Sequence, residues 1–483
     1  MRGRALPPSD SAAASATVQL SWPGRMFRVG QDQAGADVGE PRRGRISERY
    51  GDQTHRLIEG DALAVTSALR AEGLAGKVDL VYVDPPFLSQ ADYILEARLD
   101  GNADGRVHRS VAYGDRWGKK DGGPGAYLEM LAPRLDALTR LLSPRGTIWV
   151  HLDWRAAYLV RVLLDEIMGR EAFLNEVVWK RAPNLGRQAK SGQFGRTLDT
   201  IVVYGQKDAV LVPPLRKEPI EESAMRKDEQ GRLFTSAPRG DYTDESIAKL
   251  DKIGRVHRTA SGKVYIKYFL VEDDLGRWCR ERPVDTLWTD IAPLRHATKE
   301  ERTGYPTQKP RALLERIIAC GTKPGELVLD VFAGSGTTGE AAHVTGRRAI
   351  VSDAQSGAIF TSRARFIRAG MGFSVASLGA PASVASRDEK RDEPRVKAAA
   401  RRLLDGTREV VLEHPKEPLS WSVGETDATG TFTATAARAR IPGKKATAAD
   451  TMLRVPASLE GRAAVRIHTD DGETLTTLLE NAR

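Results

Sequence analysis

Leu327-Val328-Leu329-Asp330-Val331-Phe332-Ala333-Gly334-Ser335-Gly336-Thr337-Thr338-Gly339 runs from a short apolar segment straight into a glycine-rich turn. The apolar part, Leu327–Phe332, reads as a strand buried on both faces, and Thr338–Val344 as the helix that follows it. Glycines let the backbone turn tightly and approach a nucleotide-like ligand without Cβ interference. Asp353 ends the next candidate strand, where a carboxylate can accept hydrogen bonds from ribose hydroxyls. The spacing Gly334-x-Gly336-x-x-Gly339 matches the dinucleotide fingerprint. On this stretch alone a dinucleotide and S-adenosylmethionine are equally good ligands, and a purely structural turn stays open.

Working outward, Val78–Val83, Gly146–Leu152, Thr200–Tyr204 and Arg348–Ser352 share the short, near-continuous apolar character of buried strands. Helical patterns lie between them at Tyr127–Leu142, Arg155–Met168 and Arg311–Cys320. In the second, Leu159, Val162, Leu163 and Ile167 fall on one helical face. The alternation predicts an α/β fold with a mostly parallel sheet, which binds ligands outside the carboxyl ends of its strands. The sheet is expected in two halves, residues 53–204 and 301–372, around an inserted segment at 205–300 whose one good strand candidate is Lys263–Leu270. Residues 1–52 read as a flexible N-terminal arm and 373–405 as a linker. Residues 406–483 read as a small β-rich C-terminal domain, with candidate strands Val410–Glu413, Thr431–Ala436 and Ala463–His468.

Composition narrows the function classes. The 483 residues are 41% hydrophobic and 28% charged, a soluble globular mix able to bury a core. A net charge of +9 fits a nucleic-acid partner without requiring one. Two cysteines, Cys279 and Cys320, supply neither a disulfide framework nor a four-thiolate zinc site. Apolar runs fall well short of the ~20 residues of a membrane span. A reduced, cytoplasmic protein with no membrane partner is expected.

The second informative stretch is Val78–Val83 leading into Asp84-Pro85-Pro86-Phe87. Two prolines hold the chain extended after the strand and fix the carboxylate before them and the ring after them. An exocyclic amino group on a nucleobase is a poor nucleophile, because its lone pair is delocalised into the ring. The Asp84 carboxylate and the Pro85 carbonyl form an acceptor pair for its two hydrogens, turning the lone pair toward an electrophilic methyl. Phe87 can stack on the base, a contact worth roughly 1–3 kcal/mol. The plain alternative is a Pro-Pro strand terminator.

With both stretches in view, the sequence resembles the amino-methylating DNA methyltransferases, specifically the β group of N6-adenine and N4-cytosine enzymes. Asp84-Pro85-Pro86-Phe87 is similar to the family's catalytic tetrad, Phe332-Ala333-Gly334-Ser335-Gly336 to its cofactor motif, and the two occur in the β-group order. Gly304-Tyr305-Pro306-Thr307-Gln308-Lys309-Pro310 resembles the element just before the cofactor strand, and Tyr127–Trp179 and Thr197–Tyr204 are also similar to family segments. The resemblance covers about residues 55–369. It implies a Rossmann-like methyltransferase sheet whose insertion is a target-recognition segment, with S-adenosyl-L-methionine as cofactor and no metal. Asp84, Pro85, Pro86 and Phe87 are then catalytic. Asp330, Phe332, Ala333, Gly334, Ser335, Gly336, Thr337 and Asp353 are cofactor residues, Thr307 and Lys309 close over the cofactor's methionine end, and Asp61 of a Gly60-Asp61 pair lies near its adenine. The tetrad ends in Phe87 where Tyr is commoner, which loses a hydroxyl, and Val331 stands where the family often has Pro.

The resemblance implies the base as well: the family's adenine enzymes mostly carry Asp in the first tetrad position and its cytosine-N4 enzymes mostly Ser, so Asp84 favours N6 of adenine. A C5-cytosine enzyme needs a thiolate nucleophile, typically after proline, and Trp278 and Ala319 precede the two cysteines. An RNA or protein-amide methyltransferase, an NAD-dependent oxidoreductase and a non-enzymatic DNA-binding protein on an inactive scaffold are the remaining rivals; the intact Asp84 and Gly334-x-Gly336 argue against the last. The implied partner is double-stranded DNA with a flipped target base; a restriction endonuclease subunit and a homodimer are open. Two acid-free segments with basic residues are candidate DNA contacts: Lys180, Arg181, Arg187, Lys190 and Arg196, then Lys252, Arg255, Arg258, Lys263, Tyr265 and Lys267. His151 and Asp153 read as a polar strand end near the cleft.

Overall fold

A computed structural model describes residues 20–22, 24–29, 44–98, 107–118, 122–183, 192–259, 261–378, 396–403, 407–414, 419–440, 451–456, 463–469 and 474–479. Contacts divide the chain into two units, residues 1–211 with 287–483, and residues 212–286. The first unit is organised by a mixed sheet. Its middle carries six neighbouring parallel strands, in the order Leu142–Leu152, Val78–Val83, Leu327–Asp330, Arg348–Asp353, His55–Glu59 and Phe373–Ser377. Antiparallel Leu198–Gly205 extends it beyond Leu142–Leu152 and pairs in turn with Phe173–Lys180.

The central strands are apolar on both faces because both are covered. Val81, Val83, Ile148 and Val150 pack with the helices Ala62–Ala71, Gly123–Thr139 and Ala157–Met168. The alternate residues Leu80 and Trp149 lie against the helix Arg311–Gly321, so close that a Cβ at Gly321 would come within 2.8 Å of Leu80. The fold class is therefore the expected α/β one, with a mostly parallel core. Leu142 belongs to a strand rather than to the end of the preceding helix, which stops at Thr139.

Three segments of this unit differ from those read in the sequence. Within 1–52, residues 20–22 and 24–29 are anchored rather than flexible: Phe27 is fully buried, the Trp22 indole donates to Glu129 at 3.1 Å, and Arg25 pairs with Glu166. Isolated anchors of this kind leave no periodicity to detect. Arg45–Tyr50 is a sheet strand, antiparallel to Phe373–Ser377 and parallel to Phe432–Ala439. Within 373–405, Phe373–Ser377 and Lys397–Arg402 are strands. The C-terminal strands do not stand apart: Phe432–Ala439, Ser420–Thr426, Ala463–His468 and Thr474–Leu478, antiparallel to one another, continue the same sheet outward from Arg45–Tyr50. A second layer, Lys397–Arg402, Thr407–His414 and Met452–Pro456, shares their apolar core around Trp421, Val423 and Leu453. Glu48 joins the two parts, buried with Arg363 at 3.2 Å, His468 at 3.5 Å and Arg466 at 3.8 Å.

The second unit is an antiparallel sheet centred on Val264–Glu272, flanked by Leu233–Pro238 and Trp278–Pro283. Ile247 of the helix Asp244–Lys252 packs on Val256 and Ile266. The expected insertion at 205–300 is thus narrower as a compact unit. Its other strands are short and most of them carry charge, which hides them from pattern reading. Among the described residues no helix is long and apolar enough to cross a membrane.

Candidate active site

Strand register brings the two sequence motifs together. Tyr82 lies opposite Asp330, and Asp330 opposite Val351, so Val78–Val83, Leu327–Asp330 and Arg348–Asp353 end at one edge. The residues that follow them line a single cavity of about 180 Å³: Asp84 through Phe87, Val331 through Ser335 with Thr337, and Asp353 through Gln355. Asp61, Thr307 and Lys309 line it as well. Of the residues selected as catalytic or cofactor-binding, Gly336 alone does not line it.

The glycine turn is held by local contacts. Asp353 accepts the Gly334 amide at 2.9 Å and the Gln355 amide at 2.9 Å. Gly334 has φ +50°, and a Cβ there would sit 3.0 Å from the Tyr305 ring, filling the turn's approach to the cavity. Gly336 serves packing instead: at φ +74°, a Cβ would meet the Ser362 hydroxyl at 2.6 Å. Asp330 accepts the Phe332 amide at 2.9 Å and the Thr338 hydroxyl at 2.6 Å. Burial pushes its carboxyl up to about 7, against the opposing pull of those two hydrogen bonds, and pushes Asp353 up to about 6.

The tetrad is held from a distance. The Lys309 ammonium donates to both oxygens of Asp84, at 2.7 and 2.5 Å, and lies 4.9 Å from the Phe87 ring centre. Asp115, fully buried at the end of the strand Val107–Asp115, accepts the amides of Phe87, Leu88 and Ser89 at 3.1, 2.9 and 2.7 Å, and the Trp117 indole at 2.9 Å. It fixes a segment in which Leu88 and Gln90 have φ +62° and +64°. Such left-handed backbone costs a non-glycine residue roughly 1–2 kcal/mol each. His151, fully buried, lies parallel to Phe87, with ring centres 5.8 Å apart and 22° between planes. Its Nδ1 meets the Tyr82 hydroxyl at 2.9 Å and its Nε2 the Asp199 carboxylate at 3.2 Å. Phe87 thus has a ring behind it, a cation beside it and the cavity in front.

Several of these residues escape sequence reasoning. Asp115 sits in no motif. Tyr113 lines the cavity and meets the Thr307 hydroxyl at 3.0 Å, and burial pushes its phenol up so that it stays neutral. Tyr305 stood in a recognised segment without a role. His151 was legible as a polar strand end, not as the backing of Phe87. Asp153 accepts the Arg155 amide at 2.8 Å and pairs with its guanidinium, and burial raises its carboxyl.

Of the first basic set, Lys180 is exposed, Arg181 pairs with Asp199 at 2.6 Å, and Arg196 lies 3.9 Å from the Trp154 ring; Arg187 and Lys190 lie outside the described residues. The second set belongs to the smaller unit. There Tyr265 and Lys267 share one face of the sheet with Phe234 and Phe269, Lys267 lying 5.2 Å from the Phe234 ring. Arg255 lies 5.7 Å from Tyr268, Lys252 and Lys263 are exposed, and Arg258 is paired with Asp251 at 2.9 Å. Cys279 and Cys320 are both buried and unbridged, and burial pushes Cys320 up to about 11.

Comparison with known proteins agrees with this geometry. The chain is 26% identical over 410 residues to the Type II methyltransferase M.EcaI of Enterobacter cloacae, covering 76% of this chain and 81% of that protein. It is 25% identical over 304 residues to the DNA adenine methyltransferase YhdJ of Escherichia coli K12, covering 62% of this chain and 79% of the relative. Among solved structures, the cytosine-N4-specific PvuII DNA methyltransferase aligns over 67% of this chain and 90% of its own, at 16% identity and a TM-score of 0.38. Residues 78–361, more than half of the chain, run from the first residue of the tetrad's strand to the helix after Asp353, and they match the N6/N4 DNA methylases as a family. With tetrad and glycine turn meeting in one cavity inside that span, the chain belongs to the N6/N4 DNA methylase family.

Proposed function

We propose that the chain methylates the N6 amino group of adenine at a specific site in double-stranded DNA, with S-adenosyl-L-methionine as donor and no covalent intermediate. The observation that carries this reading is the opening of Asp84–Phe87 and of the Phe332–Ser335 turn into one cavity. The cavity suits the donor: Phe332 offers an apolar wall for a purine, the Gly334 turn a cradle that a Cβ would fill, and Asp353 a carboxylate for hydroxyl groups. When bound there, S-adenosyl-L-methionine supplies an electrophilic methyl group.

The rest is the work of the chain's own residues. Asp84 and the Pro85 carbonyl accept the two amino hydrogens of the base and set its lone pair toward the cavity. Lys309 donates to both oxygens of Asp84 and holds the carboxylate in a fixed orientation. Phe87, backed by His151, stacks on a base extruded from the duplex. Positioning and polarisation together account for the acceleration. Asp84 in the first tetrad position and the adenine specificity named for the Escherichia coli relative support adenine as the target. Lys180, Arg181 and Arg196, and in the smaller unit Arg255 and Lys267, supply cations for phosphates.

The test is transfer from labelled S-adenosyl-L-methionine to unmethylated genomic DNA, with nucleosides identified by mass spectrometry. N6-methyladenine is expected from the wild type and none from Asp84→Ala, whose donor affinity stays close to wild type. N4-methylcytosine would correct the base and keep the mechanism. An active Asp84→Ala would remove the role of the carboxylate.

A further inference from the structure

Leu142–Leu152 is the sheet neighbour of the tetrad's strand on the side away from Leu327–Asp330, and Leu198–Gly205 is the next strand out. Both end or begin at the carboxyl edge, so the turn after Leu152 and the segment before Leu198 flank Phe87 within two strand spacings, each about 4.8 Å. Trp154 stands in that turn, 45% exposed, with the Arg155 guanidinium 4.9 Å and the Arg196 guanidinium 3.9 Å from its ring centre. Phe194, in the segment before Leu198, is 98% exposed. A lone exposed apolar side chain means little. Two aromatics at one rim of the cleft, with guanidinium groups against one of them, have the make-up of a nucleic-acid contact.

The charge around them says which polymer fits. The acids of this rim, Asp153 and Asp199, are buried and already paired with Arg155 and Arg181. Arg196 and exposed Lys180 then leave the outer face basic, suited to phosphates. Arg155 is fixed through both its amide and its guanidinium to Asp153, so the turn that carries Trp154 is rigid before any ligand arrives. Phe87 cannot also serve the duplex, because one of its faces is taken by His151 and the other looks into the cavity.

We propose that Trp154 is the wedge that enters the DNA stack where the target base has left it, with Phe194 and Arg196 against the flanking strand. Extruding a paired base leaves a gap, and an aromatic ring that fills it restores stacking and holds the duplex open. Trp154 is a positioning residue: it keeps the base out and touches neither donor nor reacting nitrogen. The inference rests on the DNA-methylating reading above.

The experiment uses the full chain and a duplex carrying its site, read from the methylated positions of genomic DNA. 2-Aminopurine replaces the target base in one duplex; in another the target adenine faces an abasic position, which lowers the cost of extrusion. Wild type should raise 2-aminopurine fluorescence and methylate both adenine duplexes. Trp154→Ala should lose the fluorescence rise and slow transfer to the paired duplex by about tenfold or more, the scale of one base–aromatic stack. It should recover most of its rate on the abasic duplex, while Trp154→Phe stays near wild type on both. Equal impairment on both duplexes, or an unimpaired Trp154→Ala, would overturn the wedge and leave the methylase reading standing. A wild type that methylates no DNA would overturn both.

Discussion

The loop after Val78–Val83 and the loop after Leu327–Asp330 leave adjacent parallel strands at the same edge, the first opening with Asp84 and the second following Asp330. They are held in opposite ways. The glycine turn is fixed by its near neighbours in sequence, with Asp330 accepting from Phe332 and Thr338, and Asp353 accepting from Gly334. The tetrad loop is fixed by residues far away, Asp115 from a hairpin and Lys309 from just before the next helix. The turn also shields its own carboxylate: Asp330 is buried and raised to about 7, whereas Asp84 faces the cavity with an ammonium on it. Position in a parallel sheet therefore brings a carboxylate to the ligand edge, and its partners decide whether it meets a ligand or holds a loop.

The comparison is broken most severely at Asp115. If the tetrad loop depends on that one distant carboxylate, Asp115→Ala frees three backbone amides beside two left-handed residues, and Phe87 drifts. Misplacement of about 1 Å costs about 10²-fold in rate, so methyl transfer should fall by about that factor while donor affinity, measured by calorimetry, changes little. Equal losses in rate and donor affinity would mean that the two loops are not held independently.

What could be read in the sequence follows the same divide. The glycine turn was legible because its supports are contiguous: strand, Asp330, glycines and Thr338 lie within thirteen residues, and Asp353 one strand later. The tetrad was legible as a motif, but its supports were not. Asp115 accepts from residues 26 to 28 positions earlier, across a hairpin whose strands carry no regular apolar alternation. Lys309 reaches a partner 225 residues away. The N-terminal segment failed for a related reason, since Phe27 and Trp22 are single anchors without a period. The C-terminal strands were visible as strands, but their attachment depends on Arg45–Tyr50, which pairs with one strand more than 300 residues later and another nearly 400 later.

A smaller effect is expected at Lys309. Lys309→Met keeps the length of the side chain and its packing near Phe87, and removes the cation from Asp84. The carboxylate then loses its orientation but keeps its place after Val83, so the rate should fall by about 10- to 100-fold, or about 1.4–2.8 kcal/mol. Single-turnover kinetics with a saturating donor separates this loss from weaker donor binding. A rate within about twofold of wild type would mean that Pro85 and Pro86 alone orient Asp84, making the two loops more alike than their contacts suggest.

The smallest effect on transfer is expected at the shielded carboxylate, where the change appears in stability. Folded Asp330 keeps its proton up to about pH 7, while an unfolded aspartate releases it near 3.8. Between those values the folded state holds more protons, so this group's contribution is complete below about pH 4, declines as pH rises to about 7, and is flat above that. Asp330→Asn should remove that decline from the pH dependence of chemical denaturation. Asp353, raised to about 6, continues to contribute its own decline over a narrower window. Thr338→Val sharpens the point, because the hydroxyl donates to the ionised form and burial opposes it. Without the hydroxyl the carboxyl should rise further, leaving stability at pH 4 nearly unchanged and lowering it by about 1–2 kcal/mol at pH 8. A loss of the same size at both pH values would show that the hydroxyl supports packing rather than charge, and that Asp330 holds the turn as a neutral acid throughout.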